Sequence, residues 1–366
     1  MQRILSQWLW PSIAGLAIAL LVLEYTGWRA TSPQARHPVT SYATAVAKAT
    51  PSVVNIYTAK VVNESPNPRN NRFNPPNQRY NQQRVERSLG SGVILSEDGI
   101  ILTNRHVIAD ADAIQVLLND NRNARAELLG ADPATDLAVL KIDLDHLSPA
   151  IIGDSNAAQV GDVVLAIGNP LGFGSSVTQG IISALGRYGF QGGAYYEDYI
   201  QTDATIHMGN SGGALINTQG ELLGINSLIY TGGSNDNTSA GIGISLAIPI
   251  NLATFVAQDL IDYGQVIRGW MGVSVQPFIP DTHQPNIGAL LVTQTVAKGP
   301  ADRAGIKPGD IITAINNEPV TDGRITMHRI ALLRPGDIIS VTLMDENKST
   351  RNLNVVLGAL QQAPQD

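Results

Sequence analysis

The sequence contains no cysteine, which excludes a disulfide framework and any metal site built on thiolates. It is also poor in charge, since only 15% of the residues are Asp, Glu, Lys or Arg and the formal net charge is −7. An acidic chain without clustered Lys and Arg has no electrostatic footprint for phosphates, so no nucleic-acid partner is expected. The fold must therefore be held together by packing alone.

The abundance of hydrophobic residues, glycine and proline indicates short strands joined by tight turns. Hydrophobic residues make up 43% of the chain, which also holds 35 glycines and 20 prolines. Apolar runs of strand length recur between turn residues from Gly90 to Ile248, and a helical spacing over 251–263 follows them. A second β-rich segment comes after that helix. Because 366 residues fit two ordinary domains, we predict a mainly β protein of two folded domains, without a cofactor or a metal.

The amino terminus carries an apolar run from Trp8 to Leu23, preceded by Arg3. With its flanking residues the run is about as long as a membrane-spanning helix. A cleaved signal peptide is the alternative, but the nearest small residues, at 30–32, are followed by Pro33, which hinders cleavage. We therefore predict an uncleaved single-pass anchor at 1–28, with everything after Thr26 outside the inner membrane.

The predicted divisions follow from composition. The tract from Asn63 to Arg87 is rich in Asn, Pro and Arg and is predicted to be a loop without chemistry, since its scattered arginines are typical of a solvated segment. We predict an anchor at 1–28, a tether at 29–41, a first domain at 42–265, a second domain at 266–358 and a tail at 359–366.

One serine, Ser211, stands in the run Gly209-Asn210-Ser211-Gly212-Gly213, where neighbouring glycines leave room for a substrate carbonyl. The run also fits the Gly-x-Ser-x-Gly elbow of α/β-hydrolases, in which the acid and the histidine follow the serine. Here the best partners precede it: His106 directly after one predicted strand and Asp136 directly before another. The order His, Asp, Ser is that of chymotrypsin.

The segments around these residues resemble the HtrA (Deg) family of serine proteases. The matching segments are 103–107, 135–140, 166–172, 176–184, 201–204 and 209–213. The resemblance implies a chymotrypsin-like double β-barrel protease domain followed by a PDZ domain, both in the periplasm of a bacterium and anchored in its inner membrane. It also implies serine endopeptidase activity and a homotrimer. Family members with one anchor and one PDZ domain make the first cut in a membrane-bound anti-sigma factor during envelope stress, after the PDZ domain binds carboxyl-terminal peptides of misfolded envelope proteins.

The resemblance also implies roles for single residues. Ser211 would attack the peptide carbonyl, His106 would move the proton, and Asp136 would orient the imidazole. The amides of Gly209 and Ser211, with Asn210 between them, would form the oxyanion hole.

Two positions before the serine bear on specificity and activation, and a third, Ser245, differs from the residue in many relatives. Thr205, six residues before the serine, is not an acid, so we expect a small or apolar residue before the cut. The pair His207-Met208 stands where relatives often have Asn-Pro, and His207 is interpreted as part of an activation loop and not as a second base. No functional consequence is expected from Ser245.

In the second domain, residues 299–312 resemble the most recognisable part of a PDZ domain. Trp270, Met271, Gly272 and Val273 match its carboxylate-binding loop, and a helix at 326–333 would form the other wall of the groove. The alternative is a strand with a buried tryptophan. Arg187 stands where the resemblance places a residue that relays peptide binding to the protease domain. A catalytically silent scaffold and a holdase chaperone remain as competing functions, but neither needs all three triad residues.

Overall fold

The structure is a computed structural model of the chain. It describes residues 14–19, 21, 41–63, 83–169, 174–188, 197–207, 209–230, 244–278, 288–320, 322–344 and 349–360. Residues 43–366 form one compact unit. It contains two β-structures whose strands pair antiparallel, followed by a smaller domain of antiparallel strands and short helices.

The first β-structure is a seven-stranded sheet with the order β5-β4-β1-β2-β3-β7-β6. A short helix, α1, and a 3-10 turn at Thr50–Ser52 lead into it, and alternating apolar residues from its strands fill a core of their own. The elements are α1 Ala43–Ala49, β1 Val53–Asn63, β2 Gln83–Ile94, β3 Ile100–Asn104, α2 Arg105–Ile108, β4 Ala113–Leu117, β5 Asn123–Arg125, β6 Glu127–Asp132 and β7 Leu137–Lys141.

The second β-structure is a closed barrel with the order β10-β13-β12-β11-β8-β9. Small and branched side chains such as Val164, Ala166 and Leu215 fill its interior, and helix α3 follows its last strand. The elements are β8 Val163–Gly168, β9 Ser176–Arg187, β10 Tyr199–Thr202, β11 Ala214–Ile216, β12 Leu222–Tyr230, β13 Ile244–Pro249 and α3 Ile250–Tyr263.

The carboxyl-terminal domain has one main sheet, in which β15 is an edge strand beside helix α5, and a two-stranded pair of β14 with β21. Its core is separate from those of the first sheet and the barrel. The elements are β14 Gly269–Trp270, β15 Val273–Phe278, β16 Ala289–Thr295, α4 Pro300–Ala304, β17 Ile311–Ile315, β18 Glu318–Pro319, α5 Gly323–Ala331, β19 Ile338–Met344, β20 Thr350–Val356 and β21 Gly358–Ala359.

The predicted loop from Asn63 to Arg87 is wrong at both ends. Asn63 is the last residue of β1 and pairs with Gln83, the first residue of β2. The two strands continue their ladder beyond the apolar runs because backbone hydrogen bonds in a hairpin do not need apolar side chains. Residues 64–82 lie outside the described residues.

The predicted single-pass membrane anchor is also wrong. A membrane span needs about 20 consecutive apolar residues in one helix. Within the predicted segment the described helical residues are 14–19 and 21, and in the described part of the chain no helix combines the required length with the required hydropathy. The remainder of 1–28 lies outside the described residues.

Candidate active site

The predicted base and acid lie at the ends of two paired strands of the first sheet. His106 is in α2, directly after β3, and Asp136 directly precedes β7, which pairs with β3. His106 Nδ1 lies 2.6 Å from Asp136 Oδ2, and the His106 backbone amide donates to Asp136 Oδ1 at 3.0 Å. Both carboxylate oxygens thus engage one histidine, which fixes its ring and leaves Nε2 for proton transfer.

The backbone of Asp136 is hydrogen-bonded as well as its side chain. Its φ of +57° is in the left-handed region, which aspartate tolerates better than most residues. Its carbonyl accepts hydrogen bonds from the Arg105 amide at 2.9 Å and from Asn104 Nδ2 at 3.1 Å. The Asp136 side chain is only 9% exposed, whereas that of His106 is 44% exposed. A buried acid therefore supports an imidazole that substrate can reach.

Ser211 comes from the second barrel and lies against the strand that leads to His106. A Cβ on the next residue, Gly212, would be 2.3 Å from Thr103 Oγ1 in β3, and the φ of Gly212 is +82°. Only glycine allows this approach. The Ser211 hydroxyl donates to the carbonyl of Ser227 at 2.9 Å. Among the hydrogen bonds of the described residues, none joins Ser211 to His106, so nucleophile and base are not yet coupled.

The turn before the nucleophile is closed by a backbone hydrogen bond and has a left-handed residue at Gly209. The Asn210 amide donates to the His207 carbonyl at 2.9 Å, and Gly209, at the third position of that turn, has a φ of +94°. A type I turn would require a negative φ there. The positive φ of Gly209 therefore excludes a type I turn.

The segment leading into this turn shows a contact that sequence reasoning missed. Ser245, in β13, is buried, and its hydroxyl accepts the Ile206 amide at 3.1 Å. The Thr205 carbonyl accepts Thr178 Oγ1 at 2.7 Å, and both Thr205 and His207 are exposed. A polar residue within an apolar strand was the only sequence signal at Ser245.

Two ionisable groups at the start of β10 are perturbed by burial. The pKa of the Tyr199 hydroxyl is raised, first by burial and then by the negative charges of Glu197 and Asp136, so the phenol stays neutral. Burial also raises the pKa of the Asp198 carboxyl.

The four residues predicted to bind a peptide carboxylate line one cavity of about 240 Å³ in the carboxyl-terminal domain. The cavity lies between the loop that joins β14 to β15 and helix α5. Its lining residues are Gly269, Trp270, Met271, Gly272, Val273, Ser274, Val275, Met327, Ile330, Ala331 and Leu360.

A buried ion pair joins this domain to the turn that carries the acid. Arg268 donates to Asp132 through both Nη1, at 3.2 Å, and Nη2, at 2.6 Å. Asp132 Oδ2 also accepts the amide of Thr135 at 3.1 Å and its hydroxyl at 2.5 Å. Since Thr135 precedes Asp136, the same carboxylate contacts the carboxyl-terminal domain and caps the turn of the acid.

A second contact between the domains lies one residue from the predicted relay. Arg187 Nε donates to Gln201 Oε1 at 2.9 Å, within the barrel. The neighbouring Tyr188 hydroxyl donates to Asp322, whose other carboxylate oxygen accepts the Ile325 amide of α5 at 3.1 Å. The link thus runs from the end of β9 to the helix that lines the cavity.

Comparison with known proteins finds two matching domain families and three similar proteins. Residues 90–225 match the trypsin-like peptidase domain and residues 291–343 match the PDZ domain. Serine endoprotease DegS of Salmonella typhimurium is 43% identical over 314 residues, which covers 84% of this chain and 83% of the relative. Serine endoprotease DegS of Escherichia coli (strain K12) is 42% identical over 313 residues, with the same coverage of 84% and 83%. The solved HtrA-type protease AlgW with decapeptide is 44% identical, covers 88% of this chain and 100% of its own, and superposes with a TM-score of 0.71.

Proposed function

The chain belongs to the HtrA family of serine endoproteases, and on that premise we propose that it cuts proteins with His106, Asp136 and Ser211 under the control of peptides bound by its PDZ domain. The observation that carries the catalytic part is the His106–Asp136 pair at 2.6 Å, with a buried carboxylate behind a reachable imidazole. That arrangement gives a serine hydroxyl a general base.

In the proposed reaction Ser211 Oγ attacks the scissile carbonyl carbon while His106 Nε2 takes the hydroxyl proton. The oxyanion is bound by the amides of Gly209 and Ser211, with Asn210 as the spacer between them. His106 then gives the proton to the leaving amine, and Asp136 stabilises the imidazolium during both transfers. Water hydrolyses the acyl-enzyme by the same steps.

We propose that the hydrogen bond from Ser211 to the Ser227 carbonyl marks a resting state. For catalysis the Ser211 hydroxyl must leave that carbonyl and turn to His106. A peptide can favour the second arrangement only by its differential affinity for the two states. A typical coupling of ~1 to 3 kcal/mol would give roughly 5- to 150-fold activation.

The proposed activator is a peptide with a free terminal carboxylate and an apolar last residue. The carbonyl of Met271 accepts the amide of Ala301, and the carbonyl of Gly272 accepts the amide of Val296, both at 2.9 Å. Because these carbonyls are already bonded within the domain, the amides of the loop are the groups that we propose to bind a carboxylate. The apolar side chains of Met327 and Ile330 face the same cavity. An extended peptide could add to β15, because that strand is at the sheet edge.

The proposed relay runs along β9. Tyr188 contacts Asp322 at the start of α5, and Arg187 beside it holds Gln201 in β10. A shift of α5 on peptide binding would therefore displace a strand of the catalytic barrel. We propose Arg187 as the residue that passes this displacement on.

For the physiological substrate we propose an anti-sigma factor, on the basis of the family resemblance, cut after a small or apolar residue because Thr205 offers no acid. On the same basis we propose a homotrimer, which sedimentation equilibrium of the purified protein tests. Misfolded envelope proteins would supply the activating carboxyl termini.

The test is the cleavage rate of an anti-sigma domain as a function of peptide concentration. A free-acid peptide should stimulate the rate to a plateau, while its amidated twin should not. Arg187→Ala should lose most of the stimulation, whereas Arg125→Ala, which removes an exposed arginine of the first sheet, should keep it.

Equal stimulation by both peptides, or by neither, contradicts carboxylate-controlled activation. Full stimulation of Arg187→Ala removes the relay alone. Unchanged cleavage by Ser211→Ala would refute Ser211 as the nucleophile, whereas absence of cleavage by the wild type with or without peptide would favour a catalytically silent scaffold or a holdase.

A further inference from the structure

We propose that the hydroxyl of Ser91 is a positioning group for the oxyanion-binding turn, an inference that rests on the proposed function. Ser91 is a residue of β2 and has no solvent-exposed surface. It belongs to the first sheet, whereas the turn it contacts lies 118 residues later in the second barrel.

Ser91 contacts the turn at two points. Its Oγ donates to the Gly209 carbonyl at 2.7 Å, and its amide donates to the Ser211 carbonyl at 2.9 Å. The same Oγ accepts the Asn169 amide at 3.0 Å, and the Ser91 carbonyl accepts Thr103 Oγ1 at 2.7 Å. The hydroxyl therefore has its donor and acceptor sides both occupied, in a fixed orientation.

The hydrogen bonds of the turn occupy its carbonyls and leave two of its amides available. The three carbonyls from Gly209 to Ser211 are all bonded: the outer two to Ser91 and that of Asn210 to the Gly213 amide. The Asn210 amide is bonded to His207. Within the described part of the chain, the amides of Gly209 and Ser211 have no acceptor. They are the two donors that the oxyanion needs.

The hydroxyl bond is the part of this arrangement that a side chain controls. Without it, the Gly209 carbonyl would lose its donor in a buried site, and the peptide between Gly209 and Asn210 would have less to keep it in place. Rotation of that peptide would change the ψ of Gly209 and the φ of Asn210, and it would break the hydrogen bond from the Asn210 amide to the His207 carbonyl that closes the turn. Ser91 touches neither substrate nor the reacting atoms, so it acts through Gly209 and not as a catalytic residue.

The experiment compares Ser91→Ala and Ser91→Cys with the wild type in casein cleavage and in inhibition by a peptide boronic acid that has valine next to boron. The boronate forms a tetrahedral adduct on serine and so reports oxyanion binding. Ser52→Ala is the matched control, because it also removes a buried hydroxyl with a 2.7 Å bond to a carbonyl, that of Ala49. Ser211→Ala checks the proposed function separately.

We expect Ser91→Ala to lower kcat about 10- to 100-fold, to leave KM within about twofold, and to raise the boronate Ki by the same factor as kcat falls. Ser91→Cys, a weaker donor, should lie between alanine and wild type, and it decides the matter if the alanine variant does not fold. Ser52→Ala should match wild type.

Two results would overturn the inference: a kcat for Ser91→Ala within about twofold of wild type, or a reduced kcat with an unchanged boronate Ki. Casein cleavage by Ser211→Ala at the wild-type rate would instead refute the proposed nucleophile.

Discussion

The buried pair of Arg268 and Asp132 allows a prediction whose size follows from the structure. The side chains are 5% and 1% exposed, and the pair is bidentate. Removing one partner of such a pair typically costs about 3 to 5 kcal/mol, because a charge is left buried. Asp132 keeps two hydrogen bonds from Thr135, so we expect Arg268→Met to lower the free energy of unfolding by the smaller value, about 3 kcal/mol.

The assay is guanidinium unfolding of the wild type, Arg268→Met, Asp132→Asn and the double variant. Asp132→Asn keeps an acceptor for Thr135 and removes only the charge. The double-mutant cycle should give an interaction energy above about 1.5 kcal/mol, since neither single variant retains the pair. An interaction energy below about 0.5 kcal/mol would refute the reasoning, because the pair would then be no stronger than a surface salt bridge.

Three further predictions concern the triad, the nucleophile turn and the interface. Asp136→Asn should lower kcat by about 10⁴-fold with unchanged peptide binding by calorimetry, because the imidazole loses its correct tautomer. Gly212→Ala should destabilise the fold by more than about 3 kcal/mol in thermal unfolding, since its Cβ would lie 2.1 Å from the Ser91 carbonyl oxygen at a φ of +82°. Burial, and then the charges of Arg268 and Arg329, lower the pKa of His328 from 6.5 to about 4, while Asp198 lies 3.9 Å away. Between pH 6.5 and 4 the unfolded chain therefore binds a proton that the folded chain does not, so stability falls by up to about 3 kcal/mol as the pH drops through that window. His328→Gln should remove that part of the pH dependence.

The sequence was a good guide wherever one local pattern determines an element. The helix expected at 251–263 is Ile250–Tyr263. The fold class and the serine endopeptidase activity are confirmed by the trypsin-like and PDZ matches and by the relatives. These features follow from hydrophobic periodicity and from motifs within a few residues.

Contacts between residues far apart in the chain could not be predicted from the sequence. No sequence pattern around Ser91 indicates that its hydroxyl contacts Gly209, because the contact exists only once the first sheet packs against the barrel. Likewise Arg187 was singled out, but the contact to the PDZ domain is made by its neighbour Tyr188. The apolar run at the amino terminus led to the prediction of an anchor, because apolar composition alone does not establish a membrane-spanning helix. The assignment of roles to the triad and to the peptide loop remains a prediction.

The most direct test of the central claim is labelling of the wild type with a fluorophosphonate, followed by peptide mapping. The account predicts one modified serine, Ser211, and labelling at least about 1,000-fold slower in His106→Ala, because the hydroxyl then has no base. Modification at a different serine, or labelling of His106→Ala at the wild-type rate, would contradict it.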